Sequence, residues 1–337
     1  VVGATGAVGE EILKILEERD FPVGEIRLFA SERSEGKSLL FKGVSCPVKK
    51  ATGDGFVGVD IAFFSAGAKV SLELAPEAVR RGAVVIDNTS AFRMAPEVPL
   101  VVPEVNAEEI RRHRGIIANP NCSTIIMVVA LKPIYDAAGV KRVVVSTYQA
   151  VSGAGARAMQ ALREESLAYL AGEEANPQVL PFSRAPKHYQ IAFNLIPHID
   201  VFEEGGYTKE EWKMVRETHK IMGDSSIAIT ATTVRVPVFR CHSESINVET
   251  KEKLTRDKAI ELLAGAPGVT VLDSPEEMKY PMPLDLSGTD DVYVGRIRED
   301  NSIERGLNLW VVGDQLRKGA ALNAVQIAEQ MLSWGLL

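Results

Sequence analysis

The sequence predicts an α/β protein: a Rossmann-like domain on a parallel sheet, plus an α+β domain whose sheet is mixed or mostly antiparallel. Three observations carry this. Apolar strand-like runs alternate with amphipathic stretches over the first 120 residues, the mark of a parallel sheet. A glycine-rich turn, Gly3 to Gly9, separates the first strand from the first helix. Beyond residue 120 the pattern changes, and FNLIPHID, SIAITATTVRVPVF and SESINVET read as strands of a second sheet. The 337 residues are enough for about two domains.

In chain order, VVGATGAVGEEILKILEERDF reads as a strand end, a tight turn and a helix. Gly3, Gly6 and Gly9 are three apart, so the spacing is GxxGxxG rather than GxGxxG, and the motif alone is weak. Strand before and helix after supply the context in which backbone N–H groups meet a pyrophosphate. EIRLFAS (25–31) is the second strand. Beyond it, Arg33 and Ser34 suit a 2′-phosphate through charge-assisted hydrogen bonds. Glu32 keeps NAD open, and the balance favours NADP. DIAFFSAG (60–67), AVVIDNTSAFRM (83–94), PLVVPEVN and GIIANPN (115–121) are further strands, with a helix at SLELAPEAVRRG. Ligands gather at the carboxyl ends of such strands. Ser65-Ala66-Gly67, Asn88 to Arg93 and Asn119 to Cys122 therefore converge. Arg93 reads equally as an anion clamp or as a surface salt bridge.

IIMVVALKPIYDAAG is a buried helix with Cys122 at its mouth. Only a thiolate is a good nucleophile, and a helix N-terminus favours it. In the second half, Gln149 ends a β-branched run and Ser152-Gly153-Ala154-Gly155 forms a turn where backbone can approach a ligand. Residues 208–222 form an amphipathic helix with Glu210 and Lys213 one turn apart, and 313–334 form a closing helix with Ala at tight-packing positions. Of five histidines, His113 and His219 lie on polar helical stretches and read as solvated, and His188 and His198 as structural. His242 ends an apolar strand, which places it as the base. Arg235 on the same stretch offers a planar fork for a substrate carboxylate. Seven residues separate the two, so a straight strand would point them to opposite faces unless Pro237 breaks it. Cys241, beside His242, reads as buried.

A net charge of −7 and no long Lys/Arg run argue against a nucleic-acid binder. No stretch has the length of a membrane span, and no signal-peptide pattern is present. Three cysteines without a CxxC pair fit a reducing cytoplasm and no zinc or other metal. A nicotinamide cofactor together with a nucleophilic thiol implies one chemistry: the thiol takes an acyl or aldehyde carbon, hydride passes between that carbon and the cofactor, and phosphate or water accepts the acyl group. A nucleotide sensor would need neither Cys122 nor His242, and a cysteine hydrolase would need no glycine turn.

GATGAVG, NTSAFR (88–93), NPNCST (119–124), QAVSGAG (149–155), EEWK (210–213), the R-x6-H stretch 235–242 and VVGDQLRKGAA (311–321) occur in this order. So arranged, the chain resembles the aspartate-semialdehyde dehydrogenase family over its whole length. The cysteine contexts of glyceraldehyde-3-phosphate dehydrogenases (SCTTN) and N-acetyl-glutamyl-phosphate reductases (Gly-Cys-Tyr-Pro) do not fit NCST; such acyl-phosphate reductases remain the alternative reading. The resemblance implies NADP-dependent reductive dephosphorylation of L-aspartyl-4-phosphate to L-aspartate 4-semialdehyde, a step towards lysine, methionine and threonine. It implies Cys122 as nucleophile, His242 as acid/base and Gln149 as the residue that positions the acyl group. Arg235 would bind the substrate α-carboxylate and Glu210 its amino group, with Arg93, Asn121 and Lys213 on phosphate. Thr5, Gly6, Ala7 and Val8, with Gly3 and Gly9, would cradle the cofactor. Arg33 and Ser34 would hold its 2′-phosphate, and Ser65, Ala66, Gly67, Ser152, Gly153 and Gln315 would complete its site. It implies residues 1–121 plus 315–337 as the NADP-binding domain, 122–314 as the catalytic and dimerisation domain, and a homodimer or tetramer that binds neither nucleic acid nor membrane.

Overall fold

The computed structural model describes residues 1–337 and divides into two compact units, Val1–Asn121 with Gly319–Leu337, and Cys122–Lys318.

The first unit holds α1 (Ala7–Glu18), β1 (Leu28–Ala30), β2 (Ser38–Phe41), β3 (Val44–Lys50), β4 (Ile61–Phe64), α2 (Ala68–Arg80), β5 (Val84–Asp87), α3 (Pro103–Asn106) and β6 (Ile116–Ala118). Val2 bridges Phe29 on one side and Phe64 on the other, both in parallel. The strand order is therefore β2-β3-β1-Val2-β4-β5-β6, parallel except for β2 against β3. Chain order reverses at Val2, and the reversal opens a crevice beside the following turn. Helix α1 forms because Ile12, Ile15 and Leu16 recur on one face, which is buried. The C-terminal helix Leu322–Ser333 buries Leu322, Val325, Ile327, Ala328 and Met331 in the same core as Ile12, Ile15, Leu28, Ile86 and Ile117.

Two expectations change here. PLVVPEVN contributes one bridge, Leu100 to Ala118, and then turns helical at Pro103. Proline at a first helical turn lacks only an N–H that would be orphaned anyway. The closing helix starts at Leu322 rather than 313, because Arg317–Ala321 form a wider π turn.

The second unit holds α4 (Cys122–Ala138), β7 (Val140–Gln149), α5 (Ala156–Leu170), α6 (Lys209–Met222), β8 (Ala228–Arg235), β9 (His242–Thr250), α7 (Arg256–Ala264), β10 (Val269–Val271), β11 (Val292–Asp300) and β12 (Gly306–Gly313). Its six strands run in the order β10-β11-β12-β9-β7-β8. Pairs β10/β11 and β7/β8 are parallel and the others antiparallel, giving the mixed sheet expected. Helix α4 is buried from Ser123 to Leu131, as an all-round apolar run demands. It packs on β7, β9, β11 and β12 between α6 and α7. Helix α6 begins where the sequence places it because Thr208 and Glu211 form a capping box: each side chain bonds the other's backbone N–H. FNLIPHID is not a strand beyond one bridge, Ile196 to Arg235. Phe193 adopts a left-handed backbone (φ 59°) that ends an extended run, while Ile191, Ala192 and Ile196 pack with Val151, Leu162 and Leu180.

Candidate active site

The register of the second sheet builds the site. Gln149 pairs with Arg235 across β7/β8. Thr147 lies opposite Glu244 and Tyr148 opposite Ser243, so the next step brings Gln149 opposite His242. His242 in turn faces Gly313, whose Cα side meets Ile126 of α4. Arg235, Gln149 and His242 thus form one row on the sheet face that α4 covers. Directly beneath lies a second row, Thr233, Thr147 and Glu244.

The parity argument against Arg235 and His242 sharing a face is overturned. Strand β8 ends at Arg235 and β9 starts at His242, so residues 236–241 turn the chain between them. Both side chains flank Gly153, where a Cβ would stand 3.0 Å from Arg235 Nη1 and 3.1 Å from His242 Cε1. A larger residue there would have to push the Arg235 or His242 side chain aside by a few tenths of an ångström. Cys241 is buried as expected, for a different reason: it precedes the strand with φ 70°. Burial pushes its thiol up, and Asp314 adds to this against Arg240.

Hydrogen bonds orient the side chains of the upper row. The Ala150 N–H donates to His242 Nδ1 at 3.0 Å. Thr147 Oγ1 donates to Gln149 Oε1 at 3.0 Å, which turns Gln149 Nε2 towards Glu210 Oε1 at 3.2 Å. Gln149 Nε2 lies 3.4 Å from His242 Nε2. Burial, then the Arg235 charge, push His242 down to about 3, with Glu210 opposing. Arg235 Nη1 donates to Ala150 O at 2.6 Å, and its Nε is buried with no partner. Desolvation lowers Arg235, while the Glu210 and Cys122 charges act the other way, so Cys122 lies within its electrostatic reach. Lys213 Nζ bridges Glu210 and Asp200 at 2.9 Å each. Burial works against its charge, and the two carboxylates outweigh it and raise its pKa. Gln315 accepts from the Cys241 N–H at 2.8 Å and donates to Ser152 Oγ, tying the Cys241 turn to the Ser152-Gly153 turn.

In the first unit, Gly3 has φ 89°, and a Cβ at Gly9 would stand 2.2 Å from Gly3 O. Gly3 and Gly9 leave no room for a side chain; the N–H groups of Gly3, Ala4 and Gly6 bond Phe29 O and Gly3 O, and the first turn of α1, from Ala7, is the helix N-terminus that fits a dinucleotide pyrophosphate. Thr5 Oγ1 donates to Ser34 Oγ at 3.3 Å. Arg33 is exposed on the turn after β1, and Glu32 is engaged by Lys50 Nζ at 2.7 Å. The Ser65 N–H and Oγ reach Val2 O, and Ala66 and Gly67 lead into α2. Arg93 is buried rather than on a surface ion pair; its Nε donates to Asn119 O at 3.0 Å and its Nη2 to Asn88 O at 2.8 Å. Asn121 is buried just before Cys122.

Three groups escaped the sequence reading, and Asn119, placed in a converging segment, was given no role of its own. Asn119 holds Arg93, Asn88 and, through Oδ1, Asn323 Nδ2 at 2.7 Å; its place in NPN offered the only signal. Thr147 and the Ala150 N–H carry no motif. Glu244 lies two residues after His242 on the same inward face, a signal the period of a strand makes legible. His113 and His219 are half-buried rather than solvated: His113 Nδ1 accepts from the Gly115 N–H, and His219 Nε2 bonds Ile227 O.

Glu244 is fully buried and neither carboxyl oxygen has a protein partner. Burial pushes it well above its ordinary 4.5. A carboxyl raised on folding is most favourable below 4.5 and loses that contribution as pH rises. Glu244→Gln, which cannot titrate, is expected to melt above the parent at pH ~7, by a gap that closes towards pH ~4. Melting curves across this range check it; a gap independent of pH means Glu244 is ionised in the fold.

A parallel sheet with a glycine turn before its first helix, and a second unit whose first helix opens on Cys122, are the parts that define a class, the two-domain semialdehyde dehydrogenases with a nicotinamide cofactor. Residues 1–113 match the family model for the semialdehyde dehydrogenase NAD binding domain, and residues 131–318 match the one for the dimerisation domain. The chain is 58% identical to the aspartate-semialdehyde dehydrogenase of Aquifex aeolicus, covering 100% of this chain and 98% of that one. It is 54% identical to that of Bacillus subtilis, with 98% and 96% covered. Among solved structures, aspartate semialdehyde dehydrogenase II of Vibrio cholerae complexed with ASA aligns with a TM-score of 0.94 at 49% identity, over 98% of this chain and 97% of that one. The enzyme of Candida albicans with NADP aligns with a TM-score of 0.76 at 26% identity, over 100% and 98%. The chain belongs to the aspartate-semialdehyde dehydrogenase family.

Proposed function

We propose that the chain reduces L-aspartyl-4-phosphate to L-aspartate 4-semialdehyde with NADPH, releasing phosphate, as a homodimeric cytoplasmic enzyme of lysine, methionine and threonine synthesis. The observation that carries this is the row Arg235, Gln149 and His242, buried beside Glu210 on the face that α4 covers. Cys122, at the N-terminus of α4, is the nucleophile; peptide dipoles and the Arg235 charge favour its thiolate. Arg235 keeps Nη1 on Ala150 O and offers its unpartnered Nε edge to the substrate carboxylate. Glu210 takes the amino group, and Gln149 and His242 serve the acyl oxygen. Lys213, Arg93 and Asn121 take phosphate. Bound on the Gly3–Gly9 turn, with Gln315, Ser152 and Gly153 near its nicotinamide, the cofactor supplies the hydride. Tyr148 and Trp310 pack together, 5.4 Å between ring centres, on the sheet face away from α4; this face supports pairing with a second copy. No helix is long and apolar enough to cross a membrane.

The test is a spectrophotometric assay with aspartate semialdehyde, phosphate and NADP, run against glyceraldehyde 3-phosphate and N-acetylglutamate semialdehyde. Faster turnover of either rival substrate removes the reading. The NADP preference rests on Arg33, free of carboxylates, and on Glu32, already engaged by Lys50. Arg33→Ala is expected to weaken NADP by about 10-fold or more, the worth of a charge-assisted bond, and NAD far less. Equal losses, measured by titration of each cofactor, place the 2′-phosphate elsewhere.

A further inference from the structure

His242 is the first residue of β9, and the ladder with β12 ends on its partner Gly313. The end residue of a strand frays unless the chain ahead of it is tied down. The residue ahead is Cys241, whose φ of 70° is a left-handed backbone that a residue with a side chain keeps only where its surroundings hold it. Main-chain pairing does not continue past Gly313. The side chains of the next two residues take over. Gln315 Oε1 accepts the Cys241 N–H at 2.8 Å. Asp314 is fully buried, and its Oδ2 accepts from Arg240 Nε at 3.0 Å, with Arg240 Nη2 2.9 Å from the same oxygen. The two residues after β12 thus grip the two residues before β9.

The grip is braced from behind. Asp314 Oδ1 accepts the Leu316 N–H at 3.0 Å, and Oδ2 also accepts the Gly288 N–H at 2.7 Å. Backbone donors therefore fix the carboxylate independently of Arg240. Leu286 packs with Cys241 and Val312 and closes the thiol off. On the other side of the turn, Arg235 is pinned separately by its paired bridge to Ile196. A buried ion pair adds little stability over a neutral pair of similar size. What this one adds is direction: two N–H groups of one planar guanidinium meet one oxygen, which sets an angle as well as a distance.

We propose that Asp314 is a positioning residue of the reaction: with Arg240 it clips the Cys241 turn to the end of β12 and so holds the His242 imidazole in its row with Gln149 and Arg235. Gln315 completes the clip from the main-chain side. Cys241 takes no part in the chemistry, and its burial reports that the clip is shut. The clip acts on the acid/base residue that the family resemblance implies. Its effect on rate therefore rests on the proposed reaction, whereas its effect on Cys241 does not. The clip also gives the break between β8 and β9 a cause: residues 236–241 turn the chain, and the clip fixes where that turn ends.

Arg240→Met alone leaves the Asp314 charge buried without its cation and is expected to melt well below the parent. The deciding protein is the double variant Arg240→Met/Asp314→Asn, neutral on both sides. It is expected to melt close to the parent. Its kcat with aspartate semialdehyde, phosphate and NADP is expected to fall about 10-fold or more, the worth of a hydrogen bond to a charged group, with KM for aspartate semialdehyde unchanged. Iodoacetamide is expected to leave Cys241 unmodified in the native parent and to alkylate it in the double variant, as mapped by peptide mass. Parental kcat in the folded double variant overturns the proposal, and so does a Cys241 that stays closed while kcat falls. Asp314→Asn alone, which keeps an acceptor oxygen for the Leu316 N–H, gives a second reading by the same measurements. A lower kcat with alkylation of Cys241 supports the clip, and no change in either overturns it. If Cys241 opens in the double variant but the parent does not turn over aspartate semialdehyde, the substrate reading fails while the clip stands.

Discussion

Cys122→Ala is expected to lower kcat by about 10⁴-fold or more, the scale seen when a nucleophile that acts as one unit with its neighbours is removed. The loss should fall on chemistry alone. The glycine turn lies in the other compact unit, so NADP is expected to bind the variant about as well as the parent. The two measurements are the rate with aspartate semialdehyde, phosphate and NADP, and a cofactor titration followed by fluorescence. Substantial residual turnover would remove Cys122 as the nucleophile, and lost cofactor binding would mean a structural role.

Arg235→Lys is expected to reduce kcat/KM for aspartate semialdehyde by about 10- to 100-fold, the worth of one or two hydrogen bonds to a charged group. In the proposed role the guanidinium performs two tasks in one plane. Nη1 holds Ala150 O at 2.6 Å, and the buried Nε has no protein partner. A lysine ammonium is a point donor and cannot hold the carbonyl while presenting a flat edge to a carboxylate. The Ala150 peptide also carries the N–H that holds His242, so the substitution disturbs substrate binding and the imidazole together. Steady-state kinetics with both substrates varied check it; an unchanged kcat/KM places the α-carboxylate elsewhere.

Much of this was legible in the sequence because periodicity and punctuation are local. The alternation of strands and helices, the turn at Gly3–Gly9 and the Thr208 start of α6 all follow from neighbours in the chain. Arg235 and His242 show where local reading stops. Counting seven residues along one strand separated them, whereas a turn at 236–241 resets the count and a register across three strands reunites them. FNLIPHID had the composition of a strand, but the backbone at Phe193 and the packing of Ile191 and Ile196 beside Leu162 decided otherwise. Thr147 and Glu244 went unseen because each looks like an ordinary strand residue. Their meaning comes only from the rows above them, which is tertiary information.

The C-terminal helix has a consequence for how the protein is made. Ile12, Leu28 and Ile117 share one core with Val325, Ile327 and Met331, although the whole second unit lies between them in the chain. At ribosomal speeds of ~5–20 residues per second, the nucleotide-binding sheet emerges and then stays open on one side for roughly 10–40 s before the helix that seals it exists. The second unit is contiguous and can complete its own core during that interval. The birth order of the two units is thus the reverse of their order in the chain.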